Sequence, residues 1–122
     1  MGSGSSGAEG FQNTIGGQGG TIRVNQGQQD KHILGTNNFN QEVAKGINKS
    51  ILTENAQKLL DDFAGTGVRL PNTNREWVDF GKVIGQYFDR ITGKYIDTTK
   101  GYIHYDSRGN AHIVPSSPWG QR

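Results

Sequence analysis

Apolar and polar residues alternate most regularly between residues 101 and 115, which predicts two short β-strands joined by a tight turn. Residues 106–109, Asp-Ser-Arg-Gly, fit a type I turn that ends on a glycine in the left-handed region. This register places His104 opposite His112 and gives the other face to apolar side chains, namely Ile103, Tyr105, Ala111 and Ile113. A two-residue loop would pair His104 with Ile113 and mix polar with apolar residues on both faces, so the first register is favoured. Two histidines are therefore expected side by side on a solvent-facing sheet surface.

Helical spacing of apolar residues comes earlier in the chain. One short helix is predicted around Phe39 to Ile47, with Asn38 as its possible cap. A clearer helix follows Thr53, its predicted cap, and ends at Gly65 or Gly67. Its apolar stripe consists of Ala56, Leu59, Leu60 and Phe63.

The extended part of the chain lies mostly after these helices. A short edge strand is predicted over residues 21–25. Residues 77–88 read as one bent strand or two, and a further strand over 94–97 follows a turn at Thr92-Gly93. This order predicts an α+β domain whose N-terminal helices pack on one face of an antiparallel meander.

Composition bounds the organisation of the chain. Its 122 residues suit one domain, which we expect over residues 21–115. Residues 1–20 are interpreted as an expression scar and a flexible glycine-rich lead-in, and residues 116–122 as a tail. A formal charge of +2 and a pI near 9.0 are compatible with a phosphate-bearing partner. The absence of cysteine excludes disulfides and thiolate metal sites, and no apolar run is long enough to span a membrane.

The histidines are the residues that could carry chemistry. Metal-independent RNA cleavage needs a base for the 2′-hydroxyl proton, an acid for the leaving 5′-oxygen and a cation for the phosphorane charge. The candidate acids and bases are His32, His104 and His112, and the candidate cations are Lys31, Lys49 and Lys100. Hydroxyl groups that could donate to phosphate are those of Thr98, Thr99 and Ser116, and Tyr102 shares the face of the hairpin histidines.

Two other interpretations of the same residues stay open. Facing strand histidines are more often ordinary surface residues than catalysts, and a lone loop histidine such as His32 more often serves a structural hydrogen bond. A metal site would need three convergent ligands, for which His104, His112 and either Asp106 or Asp79 are available. No HExxH sequence or dense carboxylate cluster supports that site.

Several motifs in sequence order resemble the polymorphic toxin type 50 domain. They are residues 31–38 (KHILGTNN), 48–53 (NKSILT), 59–67 (LLDDFAGTG), 78–85 (VDFGKVIG), and the pair GYIHY and AHIVP within 101–115. The motif residues that carry over are His32, Thr36, His104 and His112. Leu34 stands where the family usually has proline, and Asp106 and Arg108 replace other residues in the hairpin, but no histidine is lost.

The resemblance implies a toxin module, of the kind found at the C-termini of bacterial polymorphic toxins and in phage minor head-like proteins. It implies an RNase that is opposed by a cognate immunity protein. The order of helices followed by an antiparallel sheet also resembles, as an analogy at the level of the fold, the barnase, EndoU, colicin and RelE group. We therefore expect a monomeric, metal-independent endoribonuclease without a cofactor, delivered into the cytoplasm of a target cell, with tRNA as the substrate that analogy favours.

The expected site combines both lines of reasoning. Catalytic roles are predicted for Lys31, His32, His104 and His112. Substrate contacts are predicted for Thr36, Lys49, Thr98, Thr99, Lys100, Tyr102, Arg108 and Ser116. The alternatives are a non-catalytic nucleic-acid-binding or phage structural module, and a metal-dependent DNase.

Overall fold

A computed structural model describes residues 22–119 of the chain. The helices are α1 (Gln26–Gln29), which continues into a 3-10 turn (Asp30–His32), α2 (Asn37–Ala44) and α3 (Ala56–Phe63). The strands are β1 (Ile51–Leu52), β2 (Val68–Arg69), β3 (Arg75–Asp79), β4 (Gly85–Asp89), β5 (Lys94–Thr98), β6 (Lys100–Tyr105) and β7 (Ala111–Pro115). The predicted lead-in over residues 1–20, the first residue of the predicted edge strand and the last three residues of the predicted tail lie outside the described part.

The strands form two antiparallel sheets rather than the single meander that the sequence predicts. One sheet has the order β1-β4-β5 and the other the order β2-β3-β6-β7. The chain passes three times between them: from β1 to β2 through α3, from β3 to β4 through residues 80–84, and from β5 to β6 through Thr99. Gly81, with φ of 75°, lets the chain turn at the end of β3. Residues 77–88 therefore belong to two strands, and the α+β class is confirmed.

The hydrophobic core lies between α3 and one face of the four-stranded sheet. Leu59 and Leu60 on α3 pack in one cluster with sheet residues that include Val78, Ile103, Ala111 and Ile113. The helix begins after Asn55, whose side chain accepts a hydrogen bond from the Lys58 N–H at 3.0 Å. The predicted cap, Thr53, instead donates its hydroxyl to the Ile84 carbonyl at 3.1 Å.

The terminal hairpin has the predicted register. His104 pairs with His112 and Tyr102 with Val114 across β6 and β7. Gly109 has φ of 83°, and the Asp106 N–H donates to the Asn110 carbonyl at 2.8 Å. The alternative pairing of His104 with Ile113 is therefore excluded.

The outer edge of β7 is covered by the segment that leads into α1. Val24 forms an isolated parallel bridge with Ala111, in place of the predicted edge strand. The fully buried Gln29 side chain then acts as a strand would, because its amide donates to the Ile113 carbonyl at 2.9 Å and accepts from the Ile113 N–H at 2.7 Å.

This edge crossing explains a second difference from the sequence-based expectation. The chain passes over the β7 edge, so the 3-10 turn that carries His32 reaches the sheet face opposite α3, and the helical segments do not all lie on one face. Residues 37–44 then form α2, which Thr36 caps by accepting a hydrogen bond from the Phe39 N–H at 3.1 Å. The predicted cap, Asn38, donates instead to the Gly27 carbonyl.

Candidate active site

Three histidine rings form a row on the sheet face opposite the core. The rings of His104 and His112 stack with centroids 4.9 Å apart and planes 25° apart. His32 stacks on the other side of His112, with a centroid distance of 6.1 Å and planes 23° apart. The hairpin pair is half-buried rather than fully solvent-facing, because the turn that carries His32 covers part of it. Sequence-distant segments thus meet at His112.

His32 is held in one orientation by the backbone. Its ring is only 6% exposed, and Nδ1 lies 2.9 Å from the Ser50 carbonyl oxygen and 3.1 Å from Ser50 Oγ. A carbonyl oxygen only accepts, so Nδ1 carries the hydrogen and Nε2 keeps its lone pair in the neutral ring. His32, one of the predicted motif residues, is therefore held in a single tautomer, and its ring supports that of His112.

The two hairpin histidines have no such anchor. Neither the His104 nor the His112 side chain makes a hydrogen bond with another residue between 22 and 119, and the contacts of these rings are those with each other, with His32 and with Tyr102. Their ring nitrogens are therefore open to a ligand. The same face also carries Trp77 Nε1 and Ser116 Oγ, the buried side-chain polar atoms that lack a hydrogen-bond partner in the described part of the chain. A sheet face with this many unpaired polar atoms is suited to binding a polar ligand.

All three imidazoles resist protonation. Burial, followed by the charges of Lys49, His104 and Lys31, outweighs the hydrogen bond to Ser50 and lowers the pKa of His32 to about 4. Burial and the neighbouring histidines lower the pKa of His112 to about 4, although Asp106 opposes this shift. Burial and then the charge of Arg75 lower the pKa of His104 as well, though less strongly. The free site is neutral at its centre at pH 7.

Cations surround this neutral centre. Lys31 acts on the pKa of both His32 and His112, and its ammonium makes no ion pair with the residues described. The Lys49 ammonium lies 3.8 Å from the buried carboxylate of Glu42, which also pairs with Lys45 at 3.3 Å. Burial would raise the pKa of Glu42, but these lysines and Lys31 outweigh it and lower it. The local excess of positive charge favours an anionic ligand.

Arg75 was missed by the sequence-based reasoning and closes the other end of the row. It pairs with His104 across β3 and β6, and its guanidinium carbon lies 5.2 Å from the centre of the Tyr102 ring. Tyr102 in turn meets His104 edge-to-face at 6.3 Å. The alternating residues 75–79 already carried the signal, but the strand was predicted to begin at Trp77, which left Arg75 in a loop.

The residues predicted to contact substrate are dispersed. Tyr102 adjoins the row and Lys49 lies near His32, but Lys100 pairs with Asp79 at 3.7 Å, four residues from His104 along β6. The hydroxyls of Thr36, Thr98 and Thr99 are engaged by neighbouring backbone or side-chain groups. Arg108 is exposed in the hairpin turn, and Ser116 is buried beyond the end of β7. These substrate roles stay predictions.

Metal binding finds no ready set of ligands in the described residues. No three His, Asp or Glu side chains between 22 and 119 are grouped so that they could hold a metal ion. The histidines stack ring against ring instead of converging on a point. What the arrangement offers is proton transfer beside a cationic rim.

Comparison with family models identifies this small α+β domain as a bacterial toxin domain. Residues 24–115 match the family model described as Ntox50, bacterial toxin 50, and the chain belongs to that family. No curated protein and no solved structure matches the chain, so the predicted likeness to barnase and its relatives stays a prediction. None of the helices between residues 22 and 119 has the length and apolar character needed to cross a membrane.

Proposed function

We propose that this toxin domain is a metal-independent endoribonuclease that cleaves RNA by attack of the 2′-hydroxyl. The observation that carries the proposal is the pair of stacked, half-buried imidazoles at 4.9 Å whose nitrogens have no partner among residues 22–119. Two proton carriers and a cationic rim are the groups that this reaction requires.

His112 is the proposed general base. Burial and the two imidazoles on either side of it hold its pKa at about 4, so at pH 7 the ring is neutral and can accept a proton. It takes the 2′-hydroxyl proton while the 2′-oxygen bonds to phosphorus, and the bond from phosphorus to the 5′-oxygen breaks. The products are a 2′,3′-cyclic phosphate and a 5′-hydroxyl.

His104 is the proposed general acid, which protonates the departing 5′-oxygen. Its pKa is lowered less than those of the other two rings. A group with a pKa of about 4 is protonated in only about one molecule in a thousand at pH 7, so the acid should be the ring with the smallest shift. The phosphate of bound RNA would oppose this shift, because a nearby negative charge raises the pKa of His104.

Lys31 and His32 take supporting roles in this proposal. The Lys31 ammonium, close enough to affect both His32 and His112, steadies the negative charge that develops on the phosphorane oxygens. His32 is a positioning residue, because the Ser50 carbonyl fixes its tautomer and its buried ring supports His112.

The test uses an oligoribonucleotide and a set of copies with one 2′-deoxy sugar each, incubated with and without EDTA. We expect cleavage that EDTA leaves unchanged, that a single deoxy sugar 5′ to the scissile bond abolishes, and that leaves a 2′,3′-cyclic phosphate end. Binding of RNA without cleavage would favour the nucleic-acid-binding module instead. Cleavage of plasmid DNA that EDTA stops would favour the metal-dependent DNase. A parallel digest of total tRNA tests the preferred substrate class.

A cognate immunity protein that covers the rim is part of the same proposal. Lys31, Lys49 and Arg75 surround the histidines, so an inhibitor that imitates RNA should be acidic where it contacts them. Its association should slow as salt rises, whereas substitution of Lys58 on the exposed side of α3 should change little. Fast, salt-independent association with a partner bound on α3 would indicate inhibition away from the site. Action inside a target cell follows from the family and is proposed with it.

A further inference from the structure

A cavity adjoins the histidine row and has no role in the mechanism above. It has a volume of about 330 Å³ and lies where the β4–β5 turn meets the chain that follows β7. Its lining includes Tyr87, Arg90, Tyr102, Ser116 and Trp119. The volume is at the lower end for small-molecule sites, which suits one planar heterocycle better than a whole nucleotide.

The lining of the cavity is largely aromatic. Tyr87 and Trp119 meet edge-to-face with centroids 6.4 Å apart, and the Trp119 side chain is more than half exposed. Tyr102 lines the same cavity and contacts His104 on its other side, 6.3 Å away. Aromatic rings of this kind bind unpaired bases because every base has a π-face.

Ser116 supplies the polar feature that a purely structural crevice would not need. Its residue is 9% exposed, its Oγ is buried, and that oxygen makes no hydrogen bond within residues 22–119. A buried hydroxyl without a partner costs free energy unless a ligand satisfies it. The hydroxyl can both donate to and accept from the edge of a base.

We propose that this cavity binds an unpaired nucleobase of the RNA next to the scissile phosphate. Tyr102 joins the two sites, since it lines the cavity and lies two residues from His104, a spacing of roughly 7 Å along a strand. The sugar of one nucleotide spans this interval, so the base enters the cavity while its phosphate lies at the histidines. The position of the phosphate rests on the proposed nuclease function, whereas base binding itself does not.

The experiment measures affinity for 2′-O-methyl oligonucleotides, which lack the attacking hydroxyl, with an abasic site moved along the strand. For the unaltered protein we expect one position where loss of the base weakens binding about five- to one-hundred-fold, the range that stacking of one base provides. The Tyr87→Leu variant should bind even the intact oligonucleotide more weakly by that factor. Loss of the same base should then reduce its affinity no further. Ser116→Ala should act in the same direction with a smaller factor.

Matched controls separate base binding from general damage. Phe88→Leu alters the next aromatic residue of β4, which points to the other face and packs against Tyr95, so it should keep the full abasic effect. Ser107→Ala, in the exposed hairpin turn, should behave likewise. Equal abasic penalties in Tyr87→Leu and the unaltered protein, or no sensitive position at all, would overturn the proposal.

Cleavage of ordinary RNA is measured alongside, so the two proposals can fail separately. A protein that cleaves RNA without any base-dependent affinity would retain the nuclease function and lose the base site. A protein that shows the abasic pattern but cleaves nothing would retain the base site and lose the nuclease function. If both hold, Tyr87→Leu should raise KM and leave kcat within a few-fold.

Discussion

The two faces of the four-stranded sheet are built from alternate residues of the same strands, and they follow opposite rules. On the core face, Ile103 and Ile113 are fully buried. The buried carboxylate of Glu76 accepts hydrogen bonds from Tyr105 Oη, at 2.6 Å, and from the backbone amides of Gly65 and Gly67. On the histidine face, the side chains of His104 and His112 lack hydrogen bonds within residues 22–119, and Trp77 Nε1 is buried without a partner among the same residues.

This contrast separates stability from activity. The core face satisfies its polar groups and fills its volume, as a face selected for folding should. The other face keeps polar atoms unpaired and holds imidazoles that resist protonation, which lowers stability unless a ligand completes it. Substitutions on the two faces should therefore have opposite consequences.

The largest effect is expected for His104→Ala and His112→Ala. Each should lower RNA cleavage by about two to four orders of magnitude, the usual contribution of a general acid or base. Stability should change little, because each ring is half-buried and has no hydrogen bond to lose within the described residues. Single-turnover cleavage and urea unfolding measure the two properties. A folded variant with unaltered turnover would remove that histidine from the mechanism.

The corresponding test of the core face is Ile103→Ala, which alters the residue next to His104 in sequence. Loss of this fully buried side chain should lower the free energy of unfolding by about 2–5 kcal/mol, because the packed core cannot close the cavity completely. Cleavage per folded molecule, measured well below the unfolding transition, should stay within a few-fold. A hundred-fold loss at full folding would show that the two faces are not separable.

Acid should expose the cost of burying His32. Its pKa is about 4 in the folded protein and about 6.5 when unfolded, so the folded state excludes a proton that the unfolded chain binds. The stability associated with the neutral ring is present in full above pH 6.5 and is lost as pH falls toward 4, by an amount on the order of 3 kcal/mol.

Unfolding curves of the native protein and of His32→Asn between pH 7 and 4 measure this effect. Asparagine can still donate to the Ser50 carbonyl but does not titrate, so the variant should show a smaller dependence on pH. The other two histidines should leave some dependence in place. If the free energy of unfolding depended on pH equally in both proteins, the His32 ring would accept a proton in the folded state without loss of stability.

The smallest effect compares two hairpin turns. Gly109 and Gly93 have φ of 83° and 72°, and an added Cβ would meet nothing within 4 Å at either residue. Alanine should therefore cost about 1–2 kcal/mol in each case through the left-handed backbone alone. Only Gly109→Ala should also reduce cleavage, because its turn sets the position of His112. Equal effects on cleavage would argue that the hairpin register does not position the site.

Sequence patterns over a few neighbouring residues correctly predicted the structural features that depend on those residues alone. The hairpin register followed from alternation and turn chemistry over 15 residues, and the pairing of His104 with His112 followed from the register. The third ring could not be placed, because the contact between His32 and His112 depends on a chain path across the sheet edge. The spacing of residues along the sequence does not indicate the route that the chain takes across that edge.

The remaining differences have similar causes. Gln29 is a polar residue outside every predicted helix and strand, yet it is buried against Ile113 through two hydrogen bonds. The break between the two sheets was hidden, because a glycine within a strand pattern can mark either a bulge or a strand end. Arg75 was lost through an error of two residues at the start of a strand, within the usual uncertainty of such boundaries.

The pairing of Gln29 with Ile113 also has a consequence for the order of folding. Their hydrogen bonds join residues 84 positions apart, whereas the hairpin that carries His104 and His112 closes over a few residues. Short-range contacts form sooner because less chain entropy is lost in closing them. The hairpin should thus be assembled before its edge is covered, and the His32 ring should dock last. In refolding experiments, the Gln29→Ala variant should regain nuclease activity more slowly than the unaltered protein, while its earlier formation of β-structure should proceed at the same rate.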